Sequence, residues 1–292
     1  MIPRSWLFVP GDSERKLARA LATGADALIL DLEDAVVPER KALAREMTAA
    51  FLAANRPSGG RASSPAVWVR VNPVSSGLMP DDLAAVLPGR PAGIVLPKPD
   101  SIADVQALDR ALGKFEKSSP DRAPTPIVAI VTETALAVTN LHGYARPPER
   151  LLALTWGGED LSAELGALCN RDADGEFRFT YQMVRGLCQI AAAASGRPAI
   201  ETVSLDFRDE AALSRRAARA VEDGFSGMLA IHPAQVPIIN AAFTPTAQQL
   251  EFARRVLAAF EAAPGAGAVQ LDGRMLDRPH QVQARRVLER AR

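Results

Sequence analysis

The chain has little that would mark thiolate chemistry, secretion or a polyanionic partner. Its 292 residues include 2 cysteines, Cys169 and Cys188, at a spacing that matches no zinc motif. They read as reduced thiols of a cytoplasmic protein. The 3 histidines, His142, His232 and His280, form no cluster, and His232 reads as structural. Lys+Arg and Asp+Glu stand at 34 each, so bulk charge offers nothing to nucleic acid or to a membrane surface. No apolar run is long enough to span a bilayer, and Met1–Trp6 lack the basic and apolar regions of a secretory leader. No G-x-G-x-x-G follows the first apolar run, which removes the dinucleotide-binding fingerprint and argues against an open doubly wound sheet.

What is present is alternation. Apolar runs occur at Trp6–Gly11, Ala27–Glu33, Val67–Asn72, Gly93–Lys98, Ile127–Thr132, Leu151–Leu161, Ala199–Leu205 and Gly227–Pro233. Amphipathic segments predict helices at Ser13–Ala22, Pro38–Ala54, Pro80–Val86, Ile102–Lys117, Thr134–His142, Phe179–Ala194, Glu210–Asp223 and Pro233–Ala242. The runs are continuously apolar, as parallel strands buried on both faces are. Eight βα units in this length predict a (β/α)₈ TIM barrel over residues 1–245. Ser58–Pro65 and Ser118–Pro126 read as loops, and Asp172–Arg178 as a polar surface excursion. Residues 246–292 form an appendage of helix, hairpin with an Asp272-Gly273 turn, and Arg-rich helix. It is too small for a core of its own, so it is expected to pack on a barrel, its own or a neighbour's.

Barrel enzymes carry their chemistry at the C-terminal ends of the strands. Those ends hold Asp31-Leu32-Glu33-Asp34, Arg70-Val71-Asn72, Pro97-Lys98, Glu133, Glu159-Asp160 and His232-Pro233. Glu133 and Asp160 follow neighbouring strands, and two hard carboxylates suit Mg²⁺, with Mn²⁺ as a substitute. Capping of the following helix by Asp160 or Ser162 is the plainer alternative. Arg70 in an apolar strand needs an anion. That anion is either a strand-two carboxylate or a substrate carboxylate. Asp34 reads as a helix cap or as one of three carboxylates needing a cation. Lys98 could form a Schiff base, but the carboxylate pair favours metal chemistry and leaves Lys98 electrostatic or structural.

Seven stretches, taken together and in order, resemble one family: Arg4 to Gly11, Asp31 to Val36, Val69 to Asn72, Leu96-Pro97-Lys98, Glu133-Thr134-Ala135, Gly158 to Leu161, and Ile231 to Gln235. The chain resembles the citrate lyase β-subunit-like proteins of the HpcH/HpaI aldolase family. The resemblance implies a barrel, Mg²⁺, and reversible C–C cleavage of malyl-, citramalyl- or citryl-CoA to acetyl-CoA and a 2-oxo acid. It implies Glu133 and Asp160 as metal ligands and Arg70 on the substrate oxygens. Asp31, Glu33 and Asp34 would hold metal-bound water, with Glu33 and Asp34 serving catalysis. It implies Arg4-Ser5 near coenzyme A, and the Gly157 and Gly158 N–H groups are expected to stabilise the same substrate oxygens as Arg70. The Gly273–Pro279 stretch resembles the family's C-terminal motif, whose aspartate, here Asp277, serves a neighbouring subunit. A homotrimer or hexamer is therefore expected. Gly157 to Asp160 look more like the stand-alone CoA lyases than like the β subunit that acts on citryl-acyl-carrier protein. A malate synthase, a malyl-CoA thioesterase and a CoA-independent aldolase remain the alternatives.

Overall fold

The structure is a computed structural model that describes residues 2–55, 64–117 and 123–291. The expected Ser58–Pro65 and Ser118–Pro126 loops lie largely outside the described residues. The chain divides into a large unit, Ile2–Ile239, and a small one from Asn240 onward.

The large unit is a closed barrel. Its strands are β1 (Ser5–Pro10), β2 (Ala27–Asp31), β3 (Ala66–Arg70), β4 (Gly93–Leu96), β5 (Ile127–Ile130), β6 (Leu151–Thr155), β7 (Ala199–Glu201) and β8 (Gly227–Ala230). Each pairs in parallel with the next, and β8 pairs with β1. Helices α1 (Glu14–Ala20), α2 (Lys41–Ala54), α3 (Met79–Val86), α4 (Ile102–Glu116), α5 (Ala135–Thr139), α6 (Glu159–Glu164), α7 (Phe179–Ala194), α8 (Glu210–Asp223) and α9 (Gln235–Phe243) follow in chain order. This is the (β/α)₈ architecture that the eight apolar runs predict. Among the described residues no helix is long and apolar enough to cross a membrane.

Side-chain volume fills the barrel axis. Trp6, near the start of β1, meets Trp68 of β3 edge to face, with ring centroids 5.0 Å apart. Gly93 and Gly227 open β4 and β8 because a side chain there would collide, with this plug at Gly93 and with the backbone entering β1 at Gly227. A Cβ on Gly93 would lie 2.1 Å from Trp68, and one on Gly227 would lie 2.3 Å from the Pro3 carbonyl. The plug sits toward the N-terminal ends of the strands, which leaves the C-terminal ends for chemistry.

Two elements are shorter than their apolar runs suggest. β7 stops at Glu201 because the Thr202 N–H donates to Glu201 Oε1 at 2.9 Å instead of to a neighbouring strand. α5 stops at Thr139, where Asn140 Nδ2 donates to the Asp100 carbonyl at 3.0 Å and a 3₁₀ turn takes over. The Asp172–Arg178 excursion is not purely surface. Phe177 packs its ring 4.8 Å from that of Trp156, at the end of β6, and beneath the Arg171 guanidinium.

The small unit contains α10 (Ala247–Glu261), β9 (Ala268–Leu271), β10 (Arg274–Asp277) and α11 (Arg278–Arg290). Asp272 and Gly273 take positive φ, 51° and 75°, as a two-residue hairpin turn requires. Ala253, Val256, Phe260, Leu276 and Ala284 form its own buried cluster.

Candidate active site at the C-terminal rim

Strand register sets the first contact of the site. Pro10, Asp31 and Arg70 are level across β1, β2 and β3. Arg70 grips Asp31 with both arms of its fork, Nε to Oδ1 at 2.7 Å and Nη2 to Oδ2 at 2.6 Å. Its Nη1 lies 2.9 Å from Glu33 Oε2, and Phe8 supports the guanidinium with its ring centroid 4.7 Å away. Among the described residues Glu33 Oε2 accepts no hydrogen bond, so Nη1 meets it as an ion pair, and Nη2 spends one of its two N–H groups on Asp31. Asp31 also accepts the Glu33 and Ala35 backbone N–H groups at 2.9 and 3.2 Å. Asp31, not Asp34, is therefore the residue that closes the turn after β2. Asp31 is committed to Arg70 and to the turn.

Lys98 gathers the remaining acids. Its Nζ donates to Asp34 at 2.7 Å, lies 3.2 Å from Asp160 Oδ1, and contacts Glu33 Oε1 more closely still. Because β2 has ended at Asp31, Glu33 and Asp34 converge on one ammonium instead of facing apart. Burial raises the Glu33 pKa even against the pull of Arg70 and Lys98. Burial pushes the Asp34 carboxyl up, but the hydrogen bond and charge of Lys98, with the charge of Arg70 and a hydrogen bond from Glu33, together hold it below its usual range. A lysine so occupied is a charged hub, not an amine poised for a Schiff base.

Glu133 is 4% exposed. Burial, only partly countered by Arg70, pushes its pKa up to about 8, and the Asp160 and Glu33 carboxylates push the same way. One of its oxygens, Oε2, accepts the Lys98 backbone N–H at 2.6 Å. Gly157 walls its other side, since a Cβ there would lie 2.8 Å from Glu133 Cγ. A buried carboxylate beside a second one asks for a cation. Among the described residues no larger His, Cys, Asp and Glu cluster has metal-binding form. A pair of carboxylates with room for water and substrate oxygens is the donor set that Mg²⁺ accepts, so the residues present fit that ion.

The turn from β6 to α6 is held from behind. Gly158 lets Phe177 approach to 3.1 Å of where a Cβ would stand, and Asn170 Nδ2 donates to Glu159 at 2.7 Å. Neither Asp160 nor Ser162 caps α6, whose N-cap is Gly158. The Gly157 N–H donates to Thr132 Oγ1 at 3.2 Å, so it is not available to a substrate oxygen as expected.

Asp31, Asp34, Arg70, Glu133, Gly157, Gly158 and Asp160 all line one cavity of about 400 Å³. Glu33 joins them through Arg70 and Lys98. Arg4 and Ser5, expected near coenzyme A, are not among the residues that line this cavity. Arg4 pairs with Asp26 at 2.8 Å, and Ser5 Oγ accepts the Asp26 N–H, both at the opposite end of β1. A six-residue strand sets them roughly 17 Å from the rim. The cavity also contains Lys16, Trp156, Leu205 and Ile231, which the sequence reading missed. Lys16 was legible, because the first turn of a helix after a strand's C-terminal end belongs to this rim. Asp277 belongs to the other unit. It is about half exposed at the N-terminus of α11, with Oδ1 2.6 Å from His280 Nδ1. His142 is exposed, and His232 stacks on Phe207 at 4.3 Å.

A closed parallel barrel with buried carboxylates and a guanidinium fork at its C-terminal rim has the architecture of a barrel enzyme's active site. Residues 4–233 match the HpcH/HpaI aldolase/citrate lyase family, and the chain belongs to that family. It is 36% identical over 290 residues to a (3S)-malyl-CoA thioesterase of Cereibacter sphaeroides, covering 99% of this chain and 94% of that protein. It is 31% identical to the mitochondrial citramalyl-CoA lyase of Rattus norvegicus, covering 98% and 85%. Its fold is similar to the crystal structure of CitE from Mycobacterium tuberculosis with magnesium, acetoacetate and coenzyme A. There the TM-score is 0.79 at 34% identity, with 99% and 97% of the two chains covered.

Proposed function

We propose that this chain is a Mg²⁺-dependent lyase that cleaves a 3-hydroxyacyl-CoA, of the malyl-, citramalyl- or citryl-CoA kind, to acetyl-CoA and a 2-oxo acid. The observation that carries this reading is the buried Glu133 carboxylate, sharing one cavity with Asp160 and the Arg70 fork. The citramalyl-CoA lyase relative and the magnesium- and coenzyme A-bound CitE structure support it. Glu133 and Asp160 would hold Mg²⁺, or Mn²⁺ in its place. The bound ion supplies Lewis acidity to the substrate's hydroxyl and carboxylate oxygens. Arg70 directs its uncommitted N–H groups to the same carboxylate, and its grip on Asp31 keeps the fork from swinging. Lys98 holds Glu33 and Asp34 beside them as acceptors for water.

The hydroxyl proton would pass to water held by Glu33 and Asp34, and opening of the C–C bond then leaves the ketone of the 2-oxo acid and the enolate of acetyl-CoA. Asp277 of a neighbouring copy delivers a proton to the enolate carbon, or removes it in the reverse direction. That step requires an assembly, a homotrimer or hexamer. A cytoplasmic setting suits Cys169 and Cys188, which are free thiols. The test is a panel of CoA thioesters followed by mass spectrometry, with and without Mg²⁺. Metal-dependent release of a 2-oxo acid with acetyl-CoA is expected, and turnover undiminished by EDTA would refute the reading. The thioesterase relative favours one second reading, hydrolysis at the same site. Free coenzyme A appearing with an intact hydroxy acid would identify it.

A further inference from the structure

Lys98 is one of three non-glycine residues with positive φ among those described, at +48°. Side chains with a Cβ disfavour this left-handed region, and residues held there cluster where function over-determines the backbone. The other two, Arg90 and Asp272, sit in ordinary turns, after a 3₁₀ helix and in the hairpin. Lys98 has no such local reason. It stands two residues after β4, between Pro97 and Pro99, and its peptide N–H points into the cavity wall to meet Glu133 Oε2 at 2.6 Å.

That bond has a consequence for Glu133. The carboxylate is trapped between the Lys98 N–H on one oxygen and the Gly157 backbone beside its Cγ. We infer that Lys98 is a positioning residue acting through its left-handed peptide: the N–H occupies Oε2, so that Glu133 presents Oε1 alone to a divalent cation. The inference rests on Glu133 being a metal ligand. The ammonium has a separate task, balancing Glu33, Asp34 and Asp160. A glycine in place of Lys98 would lose the ammonium and keep the backbone.

The test compares Lys98→Gly with Lys98→Val in the full-length protein. Both lack the ammonium, and they differ in whether the left-handed conformation is tolerated. Mg²⁺ affinity is measured by titration calorimetry, with the fold of each metal-free variant checked by circular dichroism. The glycine variant should bind Mg²⁺ at least about tenfold more tightly than the valine variant. Equal affinities, or a glycine variant that binds no better than Glu133→Ala, would overturn the inference. Should the valine variant not fold, Lys98→Ala replaces it, with an expected gap of about fivefold against glycine. Glu133→Ala binding Mg²⁺ as the parent does would instead overturn the metal reading itself, and this inference with it.

Discussion

At the barrel rim, Glu133 is 4% exposed and boxed in by Gly157 and the Lys98 peptide. In the C-terminal unit, Asp277 is about half exposed, pairs with Ala268 in the hairpin and holds His280 of the following helix. One acid is shaped by everything around it within its own fold. The other is a helix start held within its own small unit. If both acids serve one reaction, as proposed, the chemistry of Glu133 is decided by folding and that of Asp277 by the neighbour it meets.

The largest expected effect tests the barrel half. Glu133→Ala should lower kcat/KM by at least about 10³-fold and abolish Mg²⁺ binding in calorimetry, while the barrel stays folded. Mixing with wild-type subunits should not repair the mutated sites, because this defect belongs to the fold that carries it. Asp277→Ala should lose about 10²- to 10³-fold in deuterium exchange into acetyl-CoA yet keep Mg²⁺ and 2-oxo acid binding. Mixing it with Glu133→Ala subunits should restore activity, since some sites then hold both acids. No rescue when subunits demonstrably exchange would collapse the comparison, leaving Asp277 to act within its own chain or not at all.

Arg70→Lys sharpens the barrel half at a smaller scale. The lysine keeps the charge but cannot bridge both Asp31 oxygens and still reach Glu33 and a ligand. We expect a loss of about 10²-fold in kcat/KM and weaker binding of oxalate and pyruvate. Near-parental activity would mean that the arginine serves Asp31 alone.

The strand order and the rim were legible because both follow from continuous apolar runs ending in charge. Arg70, Glu133 and Asp160 stand at such ends, and one cavity contains all three. Arg4 and Ser5 were drawn in by the resemblance alone, since they precede the first apolar run and so stand at the other end of its strand. The hub at Lys98 was hidden for a different reason. A positive φ on lysine leaves no trace in composition or periodicity, so the peptide's bond to Glu133 appears only in three dimensions. Phe177 was hidden likewise, the one aromatic residue in a polar stretch, which finds Trp156 across the turn.

The smallest effect reads the same burial through stability. Glu133 has its pKa raised from an ordinary 4.5 to about 8 in the folded, metal-free chain, chiefly by burial. Between those values the folded protein holds a proton that the unfolded chain has released. Its unfolding free energy therefore falls as pH rises through that window and levels off above it. Glu133→Gln stays neutral throughout and lacks this slope. In EDTA, the parent's Tm relative to that of Glu133→Gln should fall by a few degrees from about pH 5 to about pH 8. Mg²⁺ favours the ionised carboxylate, so saturating metal should recover the loss in the parent and leave Glu133→Gln little changed. Parallel Tm profiles for the two proteins in EDTA would show that Glu133 is ionised at little cost in its box, and that the contrast with Asp277 lies in position alone.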